Sequence, residues 1–274
     1  MTTNKITIDE IYGYPGLDEA TIEAALNRSL DPRPSTVLYD KMGELGLAAH
    51  HLLLDVGSRD ARHSCVLAER YGCQVIAVDP VAHNLQLAEQ VISERGLTGR
   101  VRSQYGVIAA LPVAAESIDY LWCRDVLNHV PDLAAGLREC ARVLKAGGQM
   151  LVYQTFATEL LEPNEADWLY ASLAIVAANM SPRFVEQTVT EAGLTIAERD
   201  IIGSEWREWW EEHGEHTTAR QLLSIARLRR DRERLRQELG RVNYEVELAN
   251  CHWGVYQMLG KLQPRCYILR KPPI

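Results

Sequence analysis

Residues 51–80 read HLLLDVGSRDARHSCVLAERYGCQVIAVDP, and the fold turns on how they are read. HLLLDV (51–56) is a short continuous apolar run, the pattern of a strand covered on both faces. RHSCVLAERYG has helical periodicity and stops at Gly72. CQVIAVDP is a second apolar run. Strand, helix and strand in succession form a βαβ unit, with parallel strands and a right-handed crossover. The connection DVGSRDARHS (55–64) carries one glycine where turns built around a nucleotide often carry three. It is either a ligand loop or an ordinary strand-to-helix turn.

The alternation continues outward. AHNLQLAEQVISERGL is a second helix closing near Gly96, RVRSQYGV a third strand and ESIDYLWCRD a fourth. LAAGLRECARVLKAGG is a helix with a glycine stop, and QMLVYQTF a fifth strand. After the irregular stretch ATELLEPNEADWLYASLAIVAANM comes the helix SPRFVEQTVTEAGL, with Ser181 as cap and Pro182 at its first position. LTIAERDII and RCYILRKP supply the sixth and seventh strands. The expected fold class is α/β: a Rossmann-like, seven-stranded, mostly parallel sheet with helices on both faces. Upstream, DEATIEAALNRSL predicts a short amphipathic helix from about Asp18 to Leu30, ended by Pro32 and Pro34. The chain then divides into an N-terminal helical lid or cap (1–48), a core (49–203), a helical insert (204–263) and a final core strand (264–274).

Within the insert, Leu228, Leu235, Leu239, Val242, Val246, Ala249, Trp253 and Tyr256 recur at spacings of 7, 4, 3, 4, 3, 4 and 3. That predicts one long amphipathic helix, bent at Gly240, lying over the core or against a second subunit through residues 217–259. Six arginines and three acids in RRDRERLRQELGR allow salt bridges along the helix, which weakens a phosphate-binding reading.

Composition sets outer bounds. The 274 residues are 47% hydrophobic and 24% charged, with 29 basic against 37 acidic side chains and a net charge of −8. A nucleic-acid partner is not expected. Six scattered cysteines without a CxxC pair read as buried free thiols in a reducing compartment. MTTNKITIDE has no signal-like apolar core and no apolar run reaches spanning length, so a cytoplasmic protein without membrane contact is expected. No HxH, HExxH or paired Cys/His spacing points to a metal, and no GxSxG or GK[ST] loop is present.

In an open parallel sheet, ligands bind beyond the C-terminal strand ends where strand order reverses. Gly57 stands there, able to turn tightly without a Cβ. Asp79 ends the second strand 22 residues later, where a carboxylate can accept both hydrogen bonds of a ribose diol. A dinucleotide fingerprint would place further glycines in the turn, and the run here is G-S-R-D-A-R. A nucleoside cofactor without phosphates makes fewer demands, and S-adenosylmethionine is one.

LLLDVGSRDARHS (52–64), VIAVDP (75–80), ALPVAAESIDYLWCRDVLNHVPD (110–132) and LRECARVLKAGGQMLV (137–152) together resemble the class I S-adenosylmethionine-dependent methyltransferases. The likeness is to the small-molecule branch that includes ubiquinone/menaquinone-type enzymes. The terminal KLQPRCYILRKP resembles that family's last strand, which implies an antiparallel seventh strand. The resemblance implies that Asp55 helps hold the methionyl amine, that Gly57 faces the cofactor, and that Asp79 takes the ribose hydroxyls. Pro80 with Val81, and Leu111, would line the adenine; Cys123 and Arg124 would lie beside the methionyl group, with His129 behind them. Ser58, Arg59, His83, Val107 and Ile108 complete the expected cofactor-binding set, and no metal is expected.

Two positions depart from the family. The turn has Arg59 and Ala61 where the family has further glycines; Arg59 either folds over the site onto the methionyl carboxylate or points to solvent. Val107 stands where an acid often binds the adenine amino group. The implied activity is methyl transfer to an O, N or C atom of a small organic acceptor, with a repurposed, non-catalytic relative as the rival. Arg124, His129, Gln154 and Glu205 are candidate polar groups around the acceptor, and Tyr12 and Tyr14 candidates for a lid. Of these His129, Tyr14 and Arg124 are the candidate catalytic residues, with His129 either a base or a structural hydrogen-bonding group.

Overall fold

In the computed structural model of the chain, residues 5–12, 16 and 18–273 are described. Contacts divide them into two compact units, Met1–Pro32 and Arg33–Ile274. The first holds α1 (Ile8–Tyr12) and α2 (Glu19–Leu26). Asp18 caps α2, its Oδ1 accepting from Thr21 N–H at 2.9 Å.

The second unit begins with α3 (Val37–Glu44), β1 (Leu52–Val56), α4 (Arg62–Tyr71), β2 (Gln74–Asp79), α5 (Ala82–Glu94) and β3 (Val101–Tyr105). It continues with β4 (Ile118–Arg124), α6 (Leu133–Val143), β5 (Leu144–Ala157), α7 (Pro163–Leu173), α8 (Pro182–Glu191) and β6 (Thr195–Ile201). It ends with α9 (Glu205–Glu212), α10 (Thr217–Arg230), α11 (Arg232–Leu239), α12 (Arg241–Met258) and β7 (Leu262–Arg270). The sheet has seven strands in the order β3-β2-β1-β4-β5-β7-β6. Only β7 runs against its neighbours, pairing antiparallel with both β5 and β6.

The continuous apolar runs of β1, β2, β4 and β5 exist because these strands are covered on both sides, whereas the edge strand β6 has no buried residue. Leu54, Val56, Ile76, Val78, Leu121 and Cys123 enter one core layer with α6 and α8. Leu53, Val75, Ala77, Tyr120 and Trp122 alternate with them into the other, against α4 and α5. Leu38 and Met42 of α3 are buried in that second layer, and α3 belongs to the same compact unit as the sheet. All six cysteines are free and buried.

Two local expectations need correction. The helix in LAAGLRECARVLKAGG ends at Val143, before its glycines, because β5 already begins at Leu144. The single long helix of the insert is three helices. Asp231 leaves helical geometry at φ −121°, and Gly240 takes φ 78°, ψ 152°, a conformation open essentially to glycine. The apolar period survives these breaks because α10 and α12 pack on each other, around Ile225, Leu228, Tyr244, Leu248 and Val255. Among the described residues, no helix is long and apolar enough to cross a membrane.

Strand order reverses between β1 and β4, so the cleft opens over their C-terminal ends. Gly57 closes β1 at φ +72°, and a Cβ there would lie 2.4 Å from Val126 Cγ2. The glycine is therefore demanded by backbone angle and by the chain that follows β4. Gly57→Ala is expected to destabilise the fold by about 2–4 kcal/mol, from left-handed strain plus overpacking. Adding Val126→Ala should recover the overpacking part alone; urea unfolding of the two variants measures both.

Candidate functional site

The turn after β1 is stitched to the end of β2. Gly57 and Ser58 N–H both donate to the Val78 carbonyl, at 2.8 and 3.0 Å. Arg59 N–H donates to Asp79 Oδ2 at 2.9 Å. The stitched backbone takes positive φ at alternate residues: Gly57 at 72°, Arg59 at 50° and Ala61 at 56°. Arg59 and Ala61 thus adopt the left-handed region without being glycine, at about 1–2 kcal/mol each. Ser58 Oγ is buried there with no hydrogen-bond partner.

Two carboxylates flank this turn. Asp79 is buried; its Oδ1 accepts from Val81 N–H at 2.9 Å and from Asn84 Nδ2 at 3.0 Å. With one bond on Oδ2, the carboxylate is fixed in orientation and retains acceptor capacity. Asp55 is 2% exposed, and its Oδ2 accepts from the Ser64 hydroxyl at 2.6 Å. Burial pushes its carboxyl up to about 7; the Ser64 bond opposes this and the Asp79 charge adds to it.

An apolar cavity of about 390 Å³ adjoins the turn. Val56, Gly57, Val78 and Pro80 form one wall, the 106–109 loop a second, and Val126 with His129–Asp132 a third. Val107 and Ile108 line it. Leu111 does not: the Val107–Ala110 bridge tightens the loop, and Leu111 turns into the core, its N–H donating to Glu139 Oε2 at 3.0 Å. Asp132 brings a carboxylate to this lining, with Oδ1 capping α6 through Ala135 N–H at 2.8 Å.

A second, polar cavity of about 320 Å³ lies beside the first. Arg59, Asp125, Asn128 and His129 line it from the strand ends; Leu173 and Ile175 come from the end of α7, and Asn250 and Trp253 from α12. His129 lines both cavities. Its Nδ1 lies 3.1 Å from the Ala174 carbonyl, which can only accept, so Nδ1 carries a proton and Nε2 is the acceptor of the neutral ring. Asn128 is oriented in the same way: Nδ2 donates to the Thr155 carbonyl at 3.4 Å, and buried Oδ1 has no partner. Asp125 sits at φ +54° with its N–H donating to the Tyr153 carbonyl at 2.9 Å. Surrounding protein pushes its carboxyl up to about 6, against the pull of Arg124, His129 and Arg207, while an open side keeps it in contact with water.

Arg124 is half-buried beside the stacked rings of Tyr153 and Trp206, each centroid 5.6 Å from its Cζ. Its Nη1 donates to His63 Nε2 at 3.0 Å, and His63 Nδ1 bonds the Tyr39 oxygen. Burial, then the Arg124 charge, press the His63 ring down to about 4, so it stays neutral. Among the described residues no carboxylate is salt-bridged to Arg124.

Other expected residues lie elsewhere. Cys123 points into the core layer under α6, fully buried, and burial holds its thiol well above the ordinary value. Glu205 is held by Arg33, whose Nε donates at 2.6 Å and Nη2 at 2.8 Å, so it is spent on an ion pair and not open to an acceptor. Buried Gln154 donates to the Asn179 carbonyl at 2.7 Å. His83 is exposed on α5 and lines neither cavity. Tyr14 lies outside the described residues, and Tyr12 ends α1 of the other unit, 84% exposed. Of the tryptophans after β6, Trp206 stacks on Tyr153 at 4.5 Å in the core, while the tryptophan on the polar cavity is Trp253.

Asp125, Asn128, Asn250 and Trp253 were not anticipated as site residues. Asp125 and Asn128 had a local signal, polar residues directly after the apolar β4. Asn250 and Trp253 had none, since only folding of the insert brings α12 to the strand ends. Among the described residues, no three His, Cys, Asp or Glu side chains could hold a metal.

Residues 54–152 match the family model described as a methyltransferase domain. The uncharacterized methyltransferase YcgJ of Bacillus subtilis is 33% identical over 111 residues, 40% of this chain and 43% of that protein. The ubiquinone biosynthesis O-methyltransferase of Xanthomonas oryzae is 37% identical over 103 residues, 36% of this chain and 41% of that protein. The chain thus spans less than half the length of these curated relatives. The crystal structure of the [4+2]-cyclase SpnF superposes with a TM-score of 0.69 at 20% identity, over 87% of this chain and 81% of that one, a likeness of fold. Proteins named as O-, N- and C-methyltransferases occur together among the matches, so the ubiquinone branch is not singled out.

Asp55 gives a pH signature. With its folded pKa raised from 3.8 to about 7, it favours folding fully below about pH 4, and this contribution is lost as pH rises to about 7. The loss is on the order of a few kcal/mol. Asp55→Asn should therefore gain stability relative to the parent between pH 4.5 and pH 8, measured as the difference in melting temperature at each pH.

Proposed function

We propose that this chain, whose residues 54–152 match a methyltransferase domain, is a class I S-adenosylmethionine-dependent enzyme that transfers a methyl group to a small organic acceptor. One observation carries the reading: His129 stands on both cavities, with Nδ1 spent on a backbone carbonyl and Nε2 unspent. An apolar cavity for the donor and a polar cavity for the acceptor, meeting at one potential base, are what methyl transfer requires.

The residues fit S-adenosylmethionine. In this reading Asp79 receives the ribose hydroxyls, Pro80, Val107 and Ile108 cover the adenine, and the unpartnered Ser58 Oγ gains a hydrogen bond. Asp55 faces the amino group, whose positive charge favours the ionised carboxylate that burial otherwise disfavours. Arg124, a half-buried cation without a carboxylate, faces the carboxylate end. This assignment leaves Arg59, on the polar cavity, to the acceptor.

When bound, the cofactor supplies a methyl carbon activated by sulfonium. The protein's task is then alignment, exclusion of water and proton removal. Leu173, Ile175 and Trp253 shield the acceptor side. His129 Nε2 accepts the proton that the acceptor atom loses, and the Ala174 carbonyl holds the imidazole in place as it becomes charged.

Calorimetry with S-adenosylhomocysteine and methyl transfer from radiolabelled S-adenosylmethionine test this. Asp79→Asn is expected to weaken S-adenosylhomocysteine binding by about 10–100-fold. His129→Gln should leave that binding within a few-fold and lower kcat by about 100–10,000-fold, removing the acidic limb of the kcat profile. Absence of S-adenosylhomocysteine binding would defeat the cofactor assignment. Tight binding with no transfer to any acceptor would favour a repurposed protein, a reading to which the cyclase sharing the fold lends weight.

A further inference from the structure

The lining of the polar cavity constrains its ligand. Asp125 and His129 Nε2 are two hydrogen-bond acceptors on this lining, and the oxygen of Asn128 is buried behind them without a partner. A hydroxyl brings one donor hydrogen, whereas an amine arriving as ammonium brings up to three. Asp125 adds the negative charge that an ammonium seeks. The lining also contains Arg59, whose guanidinium makes no salt bridge with a described residue.

Arg59 stands at φ +50°, where glycine would be free of strain and where only the backbone N–H serves the turn. Nothing in the turn uses its side chain. A strained residue whose side chain faces a cavity is a candidate for function there. A guanidinium recognises a carboxylate through paired N–H groups.

We propose that the acceptor is a small amino acid, its carboxylate held by Arg59 and its nitrogen received by Asp125 and His129. Trp253, with Leu173 and Ile175, covers its apolar part. The ammonium first gives one proton to His129 Nε2. The nitrogen lone pair then forms the N–C bond while the bond from the methyl carbon to sulfur breaks, its electron pair staying on sulfur. The products are an N-methylammonium acid and a thioether. This rests on the methyl-transfer reading above.

The test uses the full chain, radiolabelled S-adenosylmethionine and three matched sets of acceptors: the twenty common amino acids with β-alanine and anthranilate, their carboxamides, and the corresponding hydroxy acids. At least one amino acid should be methylated, with kcat/KM at least tenfold above its carboxamide and its hydroxy acid. Arg59→Gln should lower kcat/KM for that amino acid by about 10–100-fold, bring it level with the carboxamide, and leave S-adenosylhomocysteine affinity within threefold. Arg59→Gly should show the same loss of selectivity with a melting temperature equal to or up to about 4 °C above the parent, separating recognition from folding. The proposal is overturned if no amino acid is methylated while carboxamides or hydroxy acids are, or if no acceptor of any set reacts. It is equally overturned if Arg59→Gln weakens S-adenosylhomocysteine as much as it lowers activity. Failure of the parent protein to bind S-adenosylhomocysteine would instead remove the methyl-transfer reading beneath it.

Discussion

Three backbone N–H groups of one turn, those of Gly57, Ser58 and Arg59, are bound to the end of β2. This stitching fixes where the first crossover begins and where both flanking carboxylates point. It holds Asp79 in place through the same bond that shapes the loop, so carboxylate and turn form one hydrogen-bonded unit. It also brings Gly57 against Val126, so the chain leaving β4 can approach only a residue without Cβ. The walls of both cavities descend from that contact: Asp125, Val126, Asn128 and His129 follow β4 in immediate succession.

The two halves of the site have different origins. The apolar cavity is made by strand ends and the loops that directly follow them. The polar cavity is closed by α7 and α12, and a buried polar relay holds this cover. Arg207 of α9 donates to Gln257 at 2.9 Å and to Gln221 at 3.0 Å, and Gln257 donates to Thr155 Oγ1 on β5 at 3.3 Å. Gln221 lies so close to α12 that a Cβ at Gly254 would fall 1.9 Å from its Oε1. Each member satisfies a buried polar atom of the next, so none can be removed without stranding another. The insert is thus held to the sheet by polar as well as apolar contacts, Trp206 entering the core layer and Ala249 and Tyr256 packing with Leu169 and Leu262.

Much of this was legible in sequence because it depends on local periodicity. HLLLDV, CQVIAVDP, ESIDYLWCRD and QMLVYQTF could be read since each is covered on both faces, and a doubly covered strand must be a continuous apolar run. The insert was read as one helix because apolar spacing reports which face is buried, not whether the axis is continuous. Val242, at 64% exposure, even belongs to the repeat without being buried. Leu111 and Cys123 were expected at the cofactor through resemblance, but the direction of their side chains is set by loop closure and strand parity. Asn250 and Trp253 reach the site through pairing of α12 with α7 and α10, information carried by no short stretch of sequence.

The glycine count of the turn changes meaning in the same light. Arg59 and Ala61 take positive φ without glycine, so the hydrogen bonds to β2 fix the backbone shape and glycine only makes that shape less costly. A turn poor in glycine can therefore have the form of a glycine-rich one, and the count by itself does not choose between a pyrophosphate and a phosphate-free ligand. The electrostatics choose more sharply. Asp55 lies buried behind the turn with its carboxyl already raised to about 7, and Asp79 stands close enough to raise it further. A pyrophosphate seated there would add negative charge beside Asp55 and push its carboxyl further toward protonation. An ammonium would compensate Asp55 and draw it back to the ionised form. The case for a cofactor that presents an amine to this turn thus rests on the acid before Gly57 more than on the glycines missing after it.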